Sequence, residues 1–198
     1  MSNINGKVYA MNVVTPMQPW KTWLLRLLFF ILWNFKSLQQ DLINLGFIEF
    51  ARWVIIPRNS FPYLGNGQER EDLKYDYLLF FSNFNGTWNQ YIDAFSAVLG
   101  TGLNAIWMWS EKFPGSVPVT PFKEYITQVQ FDTDYYYTSY PHATANDLKA
   151  ARAVQDSLDK LAATAESLSP KDFAAAYLNF VVEVQADIGD TGQAPVVF

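Results

Sequence analysis

The chain has 198 residues, half of them apolar and 17% charged, which suits one domain with a core of ordinary size and excludes wholesale disorder. With no cysteine and a single histidine, His142, it has no disulfide, thiol nucleophile, iron–sulfur cluster or Cys-based zinc site, and only one imidazole for a Ser-His-Asp arrangement. The net charge of −5 is uneven: residues 1–60 hold Lys7, Lys21, Arg26, Lys36, Arg52 and Arg58 against Asp41 and Glu49, a net of +4, so the remainder carries −9.

In chain order, Lys7 to Val14 reads as a first strand, ended by Thr15-Pro16 and Pro19. The run from Trp20 to Phe35, WKTWLLRLLFFILWNF, lies too far in for a signal peptide and lacks a small-residue cleavage site. As a helix of about 24 Å it is too short to cross a bilayer, which takes roughly 20 apolar residues. Arg26 also interrupts it, and Lys36, Gln39, Gln40 and Asp41 follow directly. Leu24, Leu27, Phe30 and Ile31 share one face while Leu25, Phe29 and Trp33 occupy the other. A helix apolar nearly all round is buried between two surfaces. Two readings stay open: burial wholly within its own fold, or a second surface of lipid or partner protein. For the latter, Trp20, Trp23 and Trp33 with Lys21, Arg26 and Lys36 supply the aromatic and snorkelling side chains of an interface helix.

Phe47 to Ile56, aromatic and β-branched, reads as a strand stopped by Pro57, and Ser60 to Asp72 is a polar Gly/Pro loop. A further strand covers Tyr75 to Phe84, after which Asn85-Gly86 turns the chain. Thr87 and Gln90 form a capping box ahead of a helix carrying Trp88, Tyr91, Ile92, Phe95, Val98 and Leu99, closed by Gly100. Leu103 to Trp109 is ambiguous between strand and short helix. Thr120-Pro121 opens a helix with Phe122, Tyr125, Ile126 and Val129 on one face, and Phe131 to Tyr140 reads as a strand. Thr144 and Asp147 cap a long helix whose inner side is expected to be Leu148, Ala151, Gln155, Leu158, Ala162 and Ala165. Ser169-Pro170 caps the last, with Phe173, Ala176, Tyr177, Phe180, Val181 and Val184.

The order strand, helix, strand, strand, helix, strand is the split βαβ pattern of a ferredoxin-like antiparallel sheet with helices on one face. The expected fold is therefore α+β of that kind, with an N-terminal apolar helical arm and C-terminal helices. It divides into a basic, aromatic arm over residues 1–45, a ferredoxin-like domain with C-terminal helices over 46–187, and a loose tail over 188–198. The uncovered sheet face is left for a partner, including a homodimer formed through it.

The runs FARWVIIP (Phe50–Pro57), LLFFSNFNGTW (Leu78–Trp88), YIDAF (Tyr91–Phe95) and DTDYYYTSYP (Asp132–Pro141) resemble a group of small bacterial proteins without assigned function. That group is similar, distantly, to ferredoxin-like domains of the dimeric α/β-barrel type, which include dye-decolourising peroxidases. The likeness covers roughly residues 47–160 and rests on patterning, so it implies a fold and no activity. Haem, which the peroxidase likeness would imply, needs an axial ligand, and His142 sits in a turn between Pro141 and a helix cap.

No other motif carries chemistry. Asp132 and Asp134 precede Tyr135, Tyr136 and Tyr137, but on a strand they read as a charged, solvated edge. Asp187 to Gly192 lacks the ligand spacing and terminal Glu of a calcium loop. Gly65-x-Gly67 lacks the strand–turn–helix setting of a phosphate loop, and the glycosylation-type Asn85-Gly-Thr87 is better explained by the cap.

The expectation is a non-enzymatic peripheral subunit without cofactor, on the cytoplasmic side of a membrane. It docks on a membrane protein complex, such as an energy-transducing photosynthetic or respiratory one, or on an anionic lipid surface. The contact residues are Trp20, Lys21, Trp23, Leu24, Arg26, Leu27, Phe30, Ile31, Trp33 and Lys36. The acidic body argues against a nucleic-acid partner. The alternative is a small enzyme or binding protein that holds an apolar ligand in an aromatic pocket on the sheet.

Overall fold

Alternation along two strands sets the architecture. In β4 (Asp76–Asn85), Asp76, Leu78, Phe80, Ser82 and Phe84 are buried while Tyr77, Leu79, Phe81 and Asn83 are half-exposed. β2 (Val8–Met17) answers with Met11, Val13, Thr15 and Met17 on the same side. The computed structural model describes residues 3–35 and 46–189. Among these, β1 (Ile4–Asn5), β2, β3 (Ile48–Ile56), β4 and β5 (Gln130–Phe131) form one antiparallel sheet. The helices are α1 (Thr22–Asn34), α2 (Trp88–Trp107), α3 (Val119–Val129), α4 (Ala145–Ala165) and α5 (Pro170–Val184), with a short 3-10 turn, Pro19–Lys21, leading into α1. The chain is α+β, as expected.

β2 and β4 pair from Val8↔Asn85 to Met17↔Asp76, and β3 lies on the far side of β4 with a bulge between Ile48 and Phe50. β1 and β5 share the other edge of β2. The first strand runs three residues past its expected end, through Pro16. The Pro16 carbonyl accepts from the Glu111 N–H at 2.8 Å on the edge away from β4, so the missing proline N–H costs the main ladder nothing. Of the expected arm over residues 1–45, the described residues 3–35 form β1, β2 and α1, with β2 in the middle of the sheet and the outer side of α1 facing away from it. Gly6, at φ +63, makes the tight β1–β2 turn, and a Cβ there would strike the Pro141 carbonyl.

α1, α2 and α3 cover one side of the sheet. Their Leu25, Tyr91, Ile92, Phe95, Ile106, Trp107, Phe122 and Ile126 close over Met11, Val13, Leu78, Phe80 and Phe84. An aromatic ladder runs through this core. Phe84 stacks on Tyr91 at 3.9 Å, Tyr91 on Phe95 at 5.0 Å, and Trp107 meets Phe80 edge-on at 5.1 Å. Fully burying each such ring contributes about 1.5–3 kcal/mol.

Three expectations are corrected. α2 does not stop at Gly100 but continues to Trp107, which settles the ambiguous 103–109 stretch as mostly helix. Gly100 admits the following loop instead: the Ser116 hydroxyl donates to the Gly100 carbonyl at 3.1 Å, and a Cβ would crowd that oxygen. The segment after Phe131 is not a strand. Side-chain amides hold it in place of a backbone ladder: Asn3 donates to Asp132 at 2.8 Å, Asn12 to the Thr133 hydroxyl at 2.7 Å, and Asn5 to the Tyr136 carbonyl at 3.1 Å. Finally, α4 turns Ala150, Val154, Ser157 and Leu161 inward and leaves the expected Leu148, Ala151 and Leu158 exposed. α4 packs on α5, and Ser157 donates to Glu183 at 2.9 Å across that pair. The expected tail lies outside the described residues beyond Gly189.

Candidate docking surface

Pro19 ends β2's extended run and α1 follows one turn later. No side chain caps α1 locally. Its first turn is fastened by Asp76, a buried carboxylate on the last residue pair of the β2–β4 ladder. Asp76 accepts the Thr22 hydroxyl with one oxygen and the Arg58 backbone N–H, at 2.8 Å, with the other. A negative charge at a helix start also complements the unsatisfied N–H groups there.

With its first turn pinned, α1 has a fixed roll. Thr22 and Leu25 are buried, Leu28, Phe29 and Leu32 are half-buried, and Phe29 lies 6.2 Å from Trp53. The opposite side is apolar and open. Trp20, Trp23, Phe30 and Trp33 are 66%, 61%, 66% and 81% exposed. Leu27, Ile31 and Phe35 are exposed with them. Single exposed apolar residues are ordinary on a protein surface, but five along one short helix, with Trp20 before it and Phe35 after it, are the kind of clustering that marks an interaction site. Arg26 is exposed, and the Lys21 ammonium lies 5.4 Å from the Trp20 ring centre.

Of the expected contact residues, Trp20, Trp23, Arg26, Leu27, Phe30, Ile31 and Trp33 therefore stand outward, Lys21 and Leu24 are half-buried at the flanks, and Lys36 lies outside the described residues. One side of α1 goes to the core and one to the surroundings, but Trp33, grouped by the sequence with Leu25 and Phe29, falls on the outer side. Sequence reasoning missed Phe35 and the loop between β3 and β4. There Leu64 is 91% exposed and Tyr63 53%. The signal was present: an apolar pair between Pro62 and Gly65 is the composition of a tight turn with an apolar tip.

The expected acid–base candidates do not converge. Asp132 is taken by Asn3, while Asp134, Tyr135, Tyr137 and His142 are exposed. Burial, with the Glu49 carboxylate nearby, pushes the Tyr136 phenol up to about 12, and burial raises Glu49 itself. Such a phenol is a weak proton donor at neutral pH. Among the described residues no group of three His, Asp or Glu side chains is placed to hold a metal ion, and no helix is long and apolar enough to cross a membrane. On the sheet face opposite the helices, Phe50 and Val54 are exposed, Val14, Ile56, Leu79 and Phe81 are half-exposed, and the Arg52 guanidinium lies 4.7 Å from the Phe81 ring centre.

No protein-family model matches the chain, and no curated protein or solved structure matches it either.

Proposed function

We propose that this protein is a non-enzymatic peripheral membrane component that docks through the outer side of α1 on a membrane-bound complex or on the lipid around it, at the cytoplasmic side. The observation that carries this reading is the division of α1. One side is locked into the core by Leu25 and the Thr22–Asp76 bond, and the other offers three tryptophans with Phe30 and Leu27 to the outside. Trp rings with neighbouring Lys and Arg suit a boundary between apolar and wet surroundings. Two further parts belong to the reading. The sheet is of the ferredoxin-like kind, supported by the order β5, β2, β4, β3 with β2 and β4 central. Its uncovered face joins two copies, supported by the half-exposed apolar side chains there.

The test is fractionation of cells expressing the full chain or the variant Trp23→Ser/Phe30→Ser. Both positions are solvent-exposed, so the variant should keep the wild-type urea midpoint and leave the membrane fraction. If it stays with membranes at moderate salt, α1 is not the docking element.

A further inference from the structure

We infer that the surface this protein docks on is an anionic bilayer itself, and that the Tyr63–Leu64 turn is a second point of contact beside α1. This rests on the docking reading above and extends it to a lipid partner and a second segment. The turn begins at the same corner of the sheet as α1, since Asp76 holds the Thr22 hydroxyl with one oxygen and the Arg58 N–H, at the base of the loop, with the other. Leu64 is displayed there without a partner side chain to pack on, at 91% exposure. Its turn is nevertheless built. The Leu64 N–H donates to the Gln68 side-chain oxygen at 2.7 Å, Gln68 donates back to the Pro62 carbonyl at 3.0 Å, and the Gln68 N–H reaches the Gly65 carbonyl at 3.1 Å. Gly65 and Gly67 supply the positive φ this path requires. An ordered turn that presents a bare leucine gains nothing from it in water and gains by burying it.

Charge selects the partner. Lys21 and Arg26 accompany α1 with no carboxylate in residues 3–35, while Lys7, at the far end of β2, is paired with Asp147 at 3.7 Å. In the loop Arg58, Arg70 and Lys74 balance Glu69, Glu71 and Asp72, and Arg58 lies 3.9 Å from Asp72. The cations also sit over aromatic rings: Lys21 over Trp20, Arg70 over Tyr63 at 5.7 Å and Lys74 over Tyr75 at 5.1 Å. Aromatic rings with ammonium or guanidinium groups beside them match the headgroup level of a bilayer, and the uncompensated charge of α1 favours anionic lipid. A second copy of α1 would bring two further cations and no carboxylate from residues 3–35 to the same surface, so self-pairing through this side is disfavoured.

Because the chain has no cysteine, Leu64→Cys, Phe30→Cys and Asn89→Cys each give a full-length protein with one site for an environment-sensitive fluorophore. Asn89, on the first turn of α2, lies at the opposite end of the sheet. The purified proteins are mixed with phosphatidylcholine vesicles, or with vesicles holding about one quarter phosphatidylglycerol. Labels at 64 and 30 should shift to the blue on the anionic vesicles alone, less so in high salt, while the label at 89 stays unchanged. Leu64→Asp should weaken vesicle binding about tenfold without moving the urea midpoint. A shift at 30 with none at 64, or unchanged binding by Leu64→Asp, overturns the second contact and leaves docking by α1 standing. No binding to either vesicle, with α1-dependent retention in cell membranes, overturns the bilayer as partner and points to a membrane protein. If retention in cells is also independent of α1, the docking reading itself fails.

Discussion

Replacing Tyr91 with Phe removes one oxygen from the centre of the molecule and leaves the ring stack intact. The Tyr91 hydroxyl donates to the Ser82 hydroxyl at 3.0 Å, and both residues are 1% exposed. The ring would keep its contacts to Phe84 and Phe95, so the loss is polar. One side of a buried hydrogen bond is left unpaired, at about 1–3 kcal/mol. Ser82→Ala should cost a similar amount for the reciprocal reason. Removing both partners leaves neither group unsatisfied, so Tyr91→Phe/Ser82→Ala should cost less than the two single changes together, with a coupling of about 1 kcal/mol or more. Tyr91→Ala, which empties the ring position, should cost about 3–5 kcal/mol. Urea titrations at pH 7 read these differences directly, since a slope of about 1–3 kcal/mol/M turns a 2 kcal/mol loss into roughly a 1 M shift of midpoint. If the single costs simply add in the double variant, the hydroxyl pair contributes nothing and packing alone holds the ladder.

Thr87→Ala and Thr144→Ala each remove an N-cap at about 0.5–2 kcal/mol, and Thr144, 2% exposed against the half-buried Thr87, should give the larger drop in thermal midpoint. Burial raises the Glu49 carboxyl, so the fold favours its protonated form, and the stability it contributes is complete below the ordinary carboxylate range and lost as pH rises through the raised value. Glu49→Gln, which keeps an acceptor for the Asn85 amide, should therefore raise the urea midpoint at pH 7 and match the wild type in acid. The Tyr125 and Tyr136 phenols are pushed up to about 12 and Tyr91 is held higher still, all mainly by burial. Stability from these three should be whole below the ordinary phenol value of 10.0 and fall above it. Absorbance at alkaline pH should accordingly show a late phase that coincides with loss of near-UV circular dichroism, and a single smooth titration of all eleven tyrosines would contradict it.

Local chemistry was legible in the sequence and long-range chemistry was not. Thr87 with Gln90, Thr144 with Asp147, and Ser169 before Pro170 mark helix starts through bonds spanning three residues, and each cap forms as read. Aromatic, β-branched runs bounded by Pro57 and by Asn85-Gly86 likewise located β3 and β4 to within a residue. The stretch FDTDYYYTSY has the composition of a strand, yet beyond Phe131 it is held by Asn3, Asn5 and Asn12, more than a hundred residues away. No pattern within ten residues records such partners. Gly100 was misread for a related reason: in isolation a glycine after a helical run signals a stop, whereas here it makes room for Ser116. For α1 the sequence contained both apolar sides but not the choice between them, which the distant Asp76 makes by fixing the first turn.

The central place of β2 also sets a timetable. It leaves the ribosome ahead of its ladder partner β4, which follows dozens of residues later, and the Asn12–Phe131 contact spans 119 residues. At about 5–20 residues per second, that last contact becomes available only some 6–24 s after its amide has been made. Until β4 has been made, the nascent chain carries β2 and the apolar Trp20–Phe35 run with no sheet to receive them. A helix apolar on both sides thus precedes the sheet that will cover one of them, and its inner side, with Leu25 at its centre, can be buried only once β4 has arrived.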